Sequence, residues 1–347
     1  MQNGSTQSDQ TEAPLTEHDF SWFSGRRVLV TGGMGFIGSH VSERLAGLGA
    51  DVTIVDSLIP AYGGNSFNIE GFRHGVQVSV TDIRDRHSMA YLLRDQEVVF
   101  NLAGQVSHID SMTDPEPDLE INCKAQLGLL EALRQTDQET RVVFASTRQV
   151  YGKPQYLPVD ERHPVHPIDV NGINKHAGEQ YHLLYSEVYG LPTVVLRLTN
   201  TYGPRQLMHH SRQGFIPVFV RQAMEGKTIT LFGGGTQRRD ANYVSDAVDA
   251  FLLAALHAPE VSGRVFNLGG KPSFSLLEFT ELLVKIVGQG EVVPAEWPPE
   301  KARIDIGDFE GDFSRITAEL GWRPQVDLTT GLERTVDFYR AYGEHYW

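Results

Sequence analysis

The chain has 347 residues, of which 40% are hydrophobic and 21% charged, a composition that excludes a disordered or fibrous protein and predicts a folded globular one. Its formal net charge of −14 argues against a nucleic-acid-binding surface, although one basic pocket for a small phosphate ligand remains compatible with it. The only cysteine, Cys123, excludes an internal disulfide and a cysteine-based zinc cluster and fits a cytoplasmic protein.

Residues 1–24 are polar at their start and lack both the basic and the apolar regions of a signal peptide. We expect a disordered tail there. No later segment approaches about 18 uninterrupted apolar residues, so we expect no membrane span.

From Arg26 onward, short β-branched runs alternate with longer segments of helical apolar spacing, which predicts repeated strand–helix–strand units. Several of the runs are apolar on both faces, as is typical of parallel strands covered by helices. The sequence therefore predicts an α/β fold with a doubly wound parallel sheet. The segments are RRVLVTGG, FIGSHVSERLAGLG, DVTIVDS, VQVSV, EVVFNLAG and TRVVFAS.

Two long helices are expected next, one within residues 114–135 and one continuing from Lys175. After residue 197 the alternation weakens, and segments with Gly and Pro alternate with shorter helices. We expect a first domain at residues 25–197 and a smaller α/β substrate-binding lobe, mainly residues 198–347, with the chain free to cross back to the first domain.

A glycine-rich segment, TGGMGFIGSH, begins where the first strand stops and opens into a helix. Gly32 and Gly35 would permit a tight turn, Gly38 would permit close contact between helix and sheet, and the helix N-terminus would point N–H groups at a pyrophosphate. Asp56 closes the second strand, where a carboxylate accepts hydrogen bonds from ribose hydroxyls and repels a 2′-phosphate. This context predicts a Rossmann-type domain that binds NAD rather than NADP. Asp82, at the end of the third strand, is expected near the adenine.

Several motifs, in order, resemble the extended short-chain dehydrogenase/reductase family of nucleotide-sugar epimerases and dehydratases. They are TGGMGFIG, Asp56, TDIRD, NLAGQVS, the segment ending VYG, RLTNTYGPR and GGGTQRRDANYV, and the likeness runs from about residue 26 to 340. The resemblance implies NAD as cofactor, a nucleotide-diphosphate sugar as substrate, and a homodimer formed by the long helices that begin near Pro115 and Asn171. It also implies that Asn122 supports the active-site strand. The cofactor-binding residues that we expect are Gly32, Gly35, Phe36, Ile37, Gly38, Asp56, Asp82, Ile83, Leu102, Ala103, Gly104 and Lys175.

In that family a Ser or Thr, a Tyr and a Lys act together, the Tyr taking a proton from a sugar hydroxyl while the nicotinamide accepts a hydride. Thr147 and Lys175 match the first and third positions, but the Tyr position is Asn171. An amide cannot act as a general base, although spacing of four puts Asn171 and Lys175 on one helix face. Asn171 is therefore expected to face the substrate and only to position or polarise it.

Three explanations remain open for the missing base. Another group collects the proton, with water or Thr147 as a relay; or Lys175, desolvated beside the nicotinamide, is neutral enough to act; or the protein binds its ligands without oxidising them. The candidates for another group are Tyr151, His166, Asp169 and His108.

The positions after Thr147 argue against dehydration. Dehydratases and decarboxylases that the chain resembles carry acids there, whereas this chain has Arg148 and Gln149, which cannot deliver a proton at neutral pH. We therefore predict an NAD-dependent isomerase that epimerises a nucleotide-linked sugar by oxidation, at C4, and reduction from the opposite face. The alternatives are a dehydratase or dehydrogenase with a different base and a catalytically silent NAD-binding regulator.

The resemblance also implies substrate contacts from Gln105, Thr147, Asn200 and Arg239, the last two as ligands of the diphosphate, where the planar guanidinium of Arg239 can engage two phosphate oxygens. In the C-terminal lobe Asp305 stands where the family often has a second phosphate-binding arginine, and an acid there would repel a diphosphate unless Arg303 or another cation intervenes. No metal site is predicted.

Overall fold

The protein is described here by a computed structural model that covers residues 19–136, 139–209, 214–298 and 306–347. The strands are β1 (Arg27–Thr31), β2 (Asp51–Asp56), β3 (Val76–Val80), β4 (Val98–Asn101), β5 (Arg141–Thr147), β6 (Thr193–Leu198), β7 (Asn200–Tyr202), β8 (Thr228–Phe232), β9 (Arg238–Arg239), β10 (Ala241–Tyr243), β11 (Arg264–Leu268), β12 (Phe274–Ser275) and β13 (Glu291–Ala295). The α-helices are α1 (Phe36–Gly47), α2 (Arg86–Leu92), α3 (His108–Thr113), α4 (Pro115–Leu119), α5 (Ala125–Arg134), α6 (Val170–Tyr189), α7 (Phe215–Met224), α8 (Val244–Leu256), α9 (Leu276–Val287), α10 (Ser314–Leu320) and α11 (Leu328–Tyr342).

A seven-stranded sheet forms the centre of the molecule, with strand order β3-β2-β1-β4-β5-β6-β11 and all neighbours parallel. The predicted α/β fold with a doubly wound parallel sheet is confirmed. The strand order reverses between β1 and β4, where Val28 pairs with Val52 on one side and Val98 on the other. A crevice opens at such a reversal, beyond the carboxyl ends of the strands, and ligands of this fold bind there.

Alternate residues of each strand enter different cores, because successive side chains point to opposite faces of a sheet. Val28 and Val30 pack with α1 and α8 on one face, whereas Leu29 packs with α2 and α5 on the other. All three of these side chains are fully buried. The double coverage explains why the central strands are apolar throughout.

The predicted helix over residues 114–135 is one continuous run with a π-helical turn, Glu120–Lys124, between α4 and α5. Asn122 lies in that turn, fully buried, and its Nδ2 donates to the main-chain oxygen of Gln105 at 2.9 Å. The wider turn thus brings an amide against the loop that follows β4.

The chain after residue 198 contributes to both lobes. The pairs β7–β10, β8–β13 and β9–β12, with α7, α9 and α11, form the smaller lobe around its own apolar core. However, β11 joins the main sheet beside β6, and α8 packs against α1 on the sheet face. The segment through α10 also packs against β11.

The expectation of a tail through residue 24 is wrong for residues 19–24. Phe20 and Phe23 are 6% and 0% exposed and belong to the core under the sheet, because burying two aromatic rings outweighs the cost of ordering the segment. The rest of the proposed tail lies outside the described residues. No helix in the described part of the chain combines the length and apolarity needed to cross a membrane.

Candidate active site

A cavity of about 450 Å³ lies at the carboxyl ends of β1, β2, β4 and β5 and extends under the smaller lobe. Its size is ordinary for a site that binds small molecules. Of the site residues assigned from the sequence, all except Gln105 line this cavity.

The turn between β1 and α1 forms the floor of the cavity. Gly32 has a φ of +67°, which only glycine adopts readily, and a Cβ at Gly38 would lie 2.1 Å from the main-chain oxygen of Gly32. Gly35 is the N-cap of α1 and has no side chain with which to cap it, so the first N–H groups of the helix remain available to an anion. A side chain at Gly32 or Gly38 would meet the protein's own backbone, so the close turn between the strand and the helix requires glycine there.

Asp56, at the end of β2, is held by the loops around it. Its Oδ2 accepts from the Met34 N–H at 2.9 Å and its Oδ1 from the Leu58 N–H at 2.8 Å. Burial raises the pKa of this carboxyl, and the two backbone donors oppose that rise. Gly64, which sequence reasoning did not single out, is also required nearby, since a Cβ there would lie 2.8 Å from Cα of Leu58.

Asp82 and Ile83 line the same end of the cavity after β3. The Asp82 carboxylate is paired with Arg84, with Nη2 and Oδ2 2.6 Å apart. This ion pair keeps the pKa of Asp82 below its usual value.

Lys175 reaches the inner part of the cavity from α6. It is 6% exposed, its Nζ donates to the Ala145 main-chain oxygen at 3.2 Å, and Nζ lies 5.2 Å from the centroid of the Phe144 ring. Burial lowers the pKa of Lys175 to about 8, and the negative charge of Asp118 limits the fall. A Cβ at Gly104 would lie 2.7 Å from Nζ and 2.9 Å from Oδ1 of Asn122, so a larger residue there would displace these two side chains.

Thr147 ends β5 and also faces the cavity. Its Oγ1 accepts from the Gln149 N–H at 3.2 Å and so caps a short 3₁₀ turn, Arg148–Tyr151. The hydroxyl hydrogen is not used by this contact.

Asn171 borders the cavity but its amide turns toward the protein. The side chain is 2% exposed, and Nδ2 donates to Asp118 Oδ2 at 2.8 Å and to the Gln105 main-chain oxygen at 2.8 Å. The other oxygen of Asp118 accepts from Asn174 Nδ2, also at 2.8 Å. The N–H donor of Asn171 thus serves a buried carboxylate, and the expectation that the amide positions the substrate stays a prediction.

Gln105 does not line the cavity. Its side chain is 2% exposed and closes a local loop: Nε2 donates to the Ser107 main-chain oxygen at 3.1 Å, and Oε1 accepts from the Ser107 N–H at 2.9 Å. The amide therefore supports the loop after β4, and its contact with a substrate stays a prediction.

The four candidate proton acceptors differ in whether they lie at the cavity. Tyr151 is fully buried outside the cavity lining, with its hydroxyl donating to Asn267 Oδ1 at 2.6 Å, and burial raises its pKa to about 12. His166 is exposed and does not line the cavity either. His108 does line it, and its Nδ1 lies 2.5 Å from Oδ2 of Asp169. These two residues, 61 positions apart in the chain, form one pair.

Two arginines, Arg148 and Arg239, line the cavity. Arg239 is 8% exposed, and its Nη1 donates to the Arg238 main-chain oxygen at 2.8 Å. Arg148 lies over the Phe309 ring, 4.9 Å from its centroid, and burial together with the charge of Arg239 lowers the pKa of Arg148 to about 10. Asn200 lines the wall between β7 and β10, with Nδ2 donating to the Asp240 main-chain oxygen at 2.8 Å.

Asp305, which sequence analysis placed in a phosphate clamp, lies outside the described residues.

Sequence reasoning missed the loop after β2 and the start of α7 as cavity walls, since neither carries a motif beyond its glycines. These residues are Tyr62, Gly63, Gly64, Gly214, Phe215, Ile216 and Pro217. The described residues contain no group of three or more His, Cys, Asp and Glu side chains that could hold a metal ion.

Comparison with known proteins gives a consistent result. The model of the NAD dependent epimerase/dehydratase family matches residues 28–269. UDP-glucose 4-epimerase of Mycolicibacterium smegmatis is 34% identical over 315 residues, covering 90% of this chain and 98% of that protein. The crystal structure of UDP-glucose 4-epimerase from Thermotoga maritima with UDP-glucose has a TM-score of 0.82 at 33% identity, covering 91% of this chain and 99% of that one. The crystal structure of dTDP-glucose 4,6-dehydratase from Streptomyces venezuelae with NAD bound has a TM-score of 0.81 at 28% identity, covering 91% and 97%.

Proposed function

The chain belongs to the NAD dependent epimerase/dehydratase family, and we propose that it is a nucleotide-sugar epimerase, which oxidises a sugar hydroxyl transiently and then reduces the ketone from the opposite face. The observation that carries this choice within the family is the wall of the cavity after Thr147. Arg148 and Gln149 line it there, and the only carboxylates among its described lining residues are Asp56 and Asp82, at the far end.

The residues of the cavity fit NAD. The turn at Gly32 and Gly38 has no room for side chains, and the N-terminus of α1 offers N–H groups to a pyrophosphate. Asp56, at the end of β2, can accept hydrogen bonds from ribose hydroxyls. Lys175, at the inner end, would hold the nicotinamide ribose. When bound, NAD accepts a hydride from the sugar carbon and later returns it.

Elimination of water needs an acid to protonate the leaving hydroxyl. Arg148 keeps its proton at neutral pH, because even a pKa lowered to about 10 leaves the guanidinium charged, and the Gln149 amide has none to give. Epimerisation needs only one proton acceptor and donor near the reacting hydroxyl. The cavity is therefore better suited to reversible oxidation than to dehydration.

The substrate's diphosphate is expected between Arg239, Arg148 and Asn200. The two guanidinium groups repel one another, and an anion between them would relieve both that repulsion and their desolvation. Arg148 thus offers a second cation for the phosphates whatever the role of residue 305. We assign the oxidised carbon to C4, as in the 4-epimerases that the chain resembles.

A second copy of the chain is expected on the outer face of α3 and α6, where apolar side chains are exposed. Their spacing of three, four or eleven residues puts those of each helix on one stripe. Such a patch is typical of a protein–protein contact and supports a homodimer. The residues are Ile109 (56% exposed), Met112 (62%), Ile173 (54%), Leu184 (47%) and Val188 (58%). Light scattering of the purified protein should give twice the chain mass, and Val188→Asp should halve it.

The function is tested with purified protein and UDP-, GDP- and dTDP-linked sugars. Bound NAD is measured after denaturation of the protein, sugars by anion-exchange chromatography, and bound NADH by absorbance during turnover. We expect one sugar to yield its epimer without net NADH. A dehydrated keto sugar would establish a dehydratase instead, net NADH would establish a dehydrogenase, and NAD binding without any conversion would indicate a regulator.

A further inference from the structure

We propose that His108, oriented by Asp169, is the group that takes the proton from the sugar hydroxyl and returns it. This inference rests on the proposed epimerase function. It assigns the acid–base role to a residue on α3, outside the helix that carries Lys175.

The pair is built from two helix N-termini. His108 is the first residue of α3, and Asp169 is the N-cap of α6, where its Oδ1 accepts from the Gly172 N–H at 2.7 Å. That bond fixes the carboxylate and leaves Oδ2 facing His108 Nδ1 at 2.5 Å. Because a carboxylate can only accept, the ring proton sits on Nδ1, and the lone pair of the neutral imidazole is at Nε2.

Asp169 stays ionised in this environment. Burial alone would raise its pKa, but the hydrogen bond from His108, the charge that His108 carries once protonated, the Gly172 N–H and the charge of Arg148 hold the pKa of the carboxyl below its usual value. An anion behind Nδ1 stabilises the imidazolium that forms when Nε2 takes a proton. The carboxylate thus has both an orienting and an electrostatic effect.

The Nε2 edge of the ring is the open one. The His108 side chain is 43% exposed, against 12% for Asp169, and its Nε2 contacts the amide of Gln149 on the cavity wall. The amide nitrogen of Gln149 donates to Nε2 of the neutral ring, while its Oε1 is buried without a hydrogen-bond partner. Once Nε2 carries a proton, rotation of the amide turns Oε1 toward it, so both protonation states are satisfied.

The other candidates are engaged elsewhere. Asn171 has no accessible proton equilibrium and donates to Asp118, and the Tyr151 hydroxyl is buried against Asn267 and Arg197. Lys175 is charged below pH about 8, since burial lowers its pKa only that far. Of the candidates that we considered, His108 is the one whose second ring nitrogen, Nε2, faces the cavity wall at Gln149.

The step is balanced as follows. The O–H bond of the sugar breaks, its proton goes to Nε2, and the C–H bond of the same carbon breaks as its two electrons leave with the hydride to NAD, so that a C=O bond forms. In the return step the carbonyl carbon regains the hydride on the opposite face, and the oxygen regains the proton from Nε2. His108 ends neutral and NAD ends oxidised.

The first test compares His108→Asn, Asp169→Asn and His166→Asn with the unmodified protein. Each is assayed for NAD content and for epimerisation of the sugar that the unmodified protein converts. We expect His108→Asn and Asp169→Asn to keep NAD and to lose about 10²–10⁴-fold in rate, which is the usual contribution of acid–base catalysis. His166→Asn is the matched control, an exposed histidine outside the cavity lining, and should change the rate less than twofold. Activity within tenfold of normal in His108→Asn overturns the proposal.

The second test is independent of turnover and distinguishes orientation from mere structural support. Long-range proton–nitrogen NMR, with the His108 signals assigned by their loss in His108→Asn, reports which ring nitrogen carries the proton. We expect Nδ1–H in the unmodified protein. In Asp169→Asn the cap at Gly172 is retained, but the new side-chain NH₂ faces Nδ1, so the ring should switch to Nε2–H. An Nε2–H ring in the unmodified protein contradicts the proposal.

The two proposals fail differently. If the unmodified protein converts no sugar of any nucleotide, the proposed function is wrong and the role of His108 in it falls too, whatever the NMR result. If the unmodified protein is active and His108→Asn is equally active, the epimerase function stands and only the assignment of His108 is wrong.

Discussion

Asn171 on α6 donates its side-chain N–H to the buried carboxylate of Asp118 on α4, over 2.8 Å. Asn174, one turn later, donates to the other oxygen of the same carboxylate. Asp118 is 1% exposed, so the two amides replace the water that this charge would otherwise bind. The asparagine at position 171 therefore has a structural partner of its own.

Asn171→Ala should lower the free energy of unfolding by about 2 kcal/mol, since it removes a hydrogen bond to a buried charge. Chemical denaturation monitored by tryptophan fluorescence measures the change. Gln77→Ala, which removes an exposed amide that donates to the exposed carboxylate of Asp51, is the control and should have an effect below about 0.5 kcal/mol. Equal effects for the two variants would mean that the bond to Asp118 contributes nothing.

Asn171→Tyr should leave NAD binding intact, because the glycine turn and Asp56 lie at the other end of the cavity from α6. The measurement is the NAD content of the purified variant. If epimerase activity is abolished while NAD is retained, Asn171 has a positive role and the pocket is built around it. Loss of NAD would contradict the expectation.

Lys175→Met should stabilise the protein at pH 7, by up to about 3 kcal/mol, while abolishing turnover. Burial lowers the pKa of Lys175 from 10.5 to about 8, so the folded state holds a charged lysine at pH 7 only at a cost. Between pH 8 and 10.5 the unfolded state binds the extra proton, and the stability of the unmodified protein rises with pH. The stability difference should therefore vanish as the pH approaches 10.5.

Unfolding curves of both proteins at pH 7, 8.5 and 10 test whether the stability difference decreases as the pH rises. Lys153→Met, at an exposed lysine, is the control and should show no such trend. A stability difference for Lys175→Met that is constant across this range would mean that the lysine is not desolvated.

Asp56→Asn should weaken NAD binding about 10–100-fold, the equivalent of one or two hydrogen bonds to a charged group. The affinity for NADP should fall far less, because removal of the carboxylate also removes its repulsion of the 2′-phosphate. Calorimetry with both cofactors measures the ratio of the Kd for NADP to the Kd for NAD. Asp51→Asn, at the exposed start of the same strand, should leave it unchanged; an unaltered ratio in Asp56→Asn would show that the carboxylate does not select the cofactor.

Arg239→Met should raise the Kd for UDP-glucose about 10–100-fold in a protein loaded with NAD, because a phosphate loses a guanidinium partner. Arg238→Met is a matched control in the adjacent position. Its Nε lies 3.0 Å from Glu310 Oε1, and the residue does not line the cavity. Equal losses in both variants would indicate a general effect of charge rather than a phosphate contact.

The sequence predicted the sheet well because its signals are local. Alternation of β-branched runs with helical spacing is visible within windows of about ten residues, and the glycines between β1 and α1 are required by contacts such as that of Gly38 with Gly32, six positions apart. The position of Asp56 in the cavity lining followed from the same signals, since strand ends meet at one edge of a parallel sheet. Gly104 and Lys175 were expected there because of the resemblance to the family.

What the sequence left undecided depended on contacts between distant segments. The motif next to β4 gives the position of Gln105 but not the direction of its side chain, which a backbone contact with Ser107 fixes. His108 and Asp169 stood among four candidates until the packing of α3 against α6 brought them together. Phe20 was assigned to a tail because its neighbours in the sequence are polar. The apolar surface beneath the sheet against which it packs is formed by distant segments, which a local pattern does not reveal.

The return of the chain to the main sheet at β11 affects how relatives of this protein can be recombined. A chimaera that takes everything after residue 197 from another protein would replace an edge strand and the helix α8 that covers the first core, not only the walls of the substrate cavity. Transfer of sugar preference is better attempted in two pieces, with the segment from α8 to β11 left native. Each graft then ends in the smaller lobe, and the hydrophobic face shared by α1 and α8 stays matched.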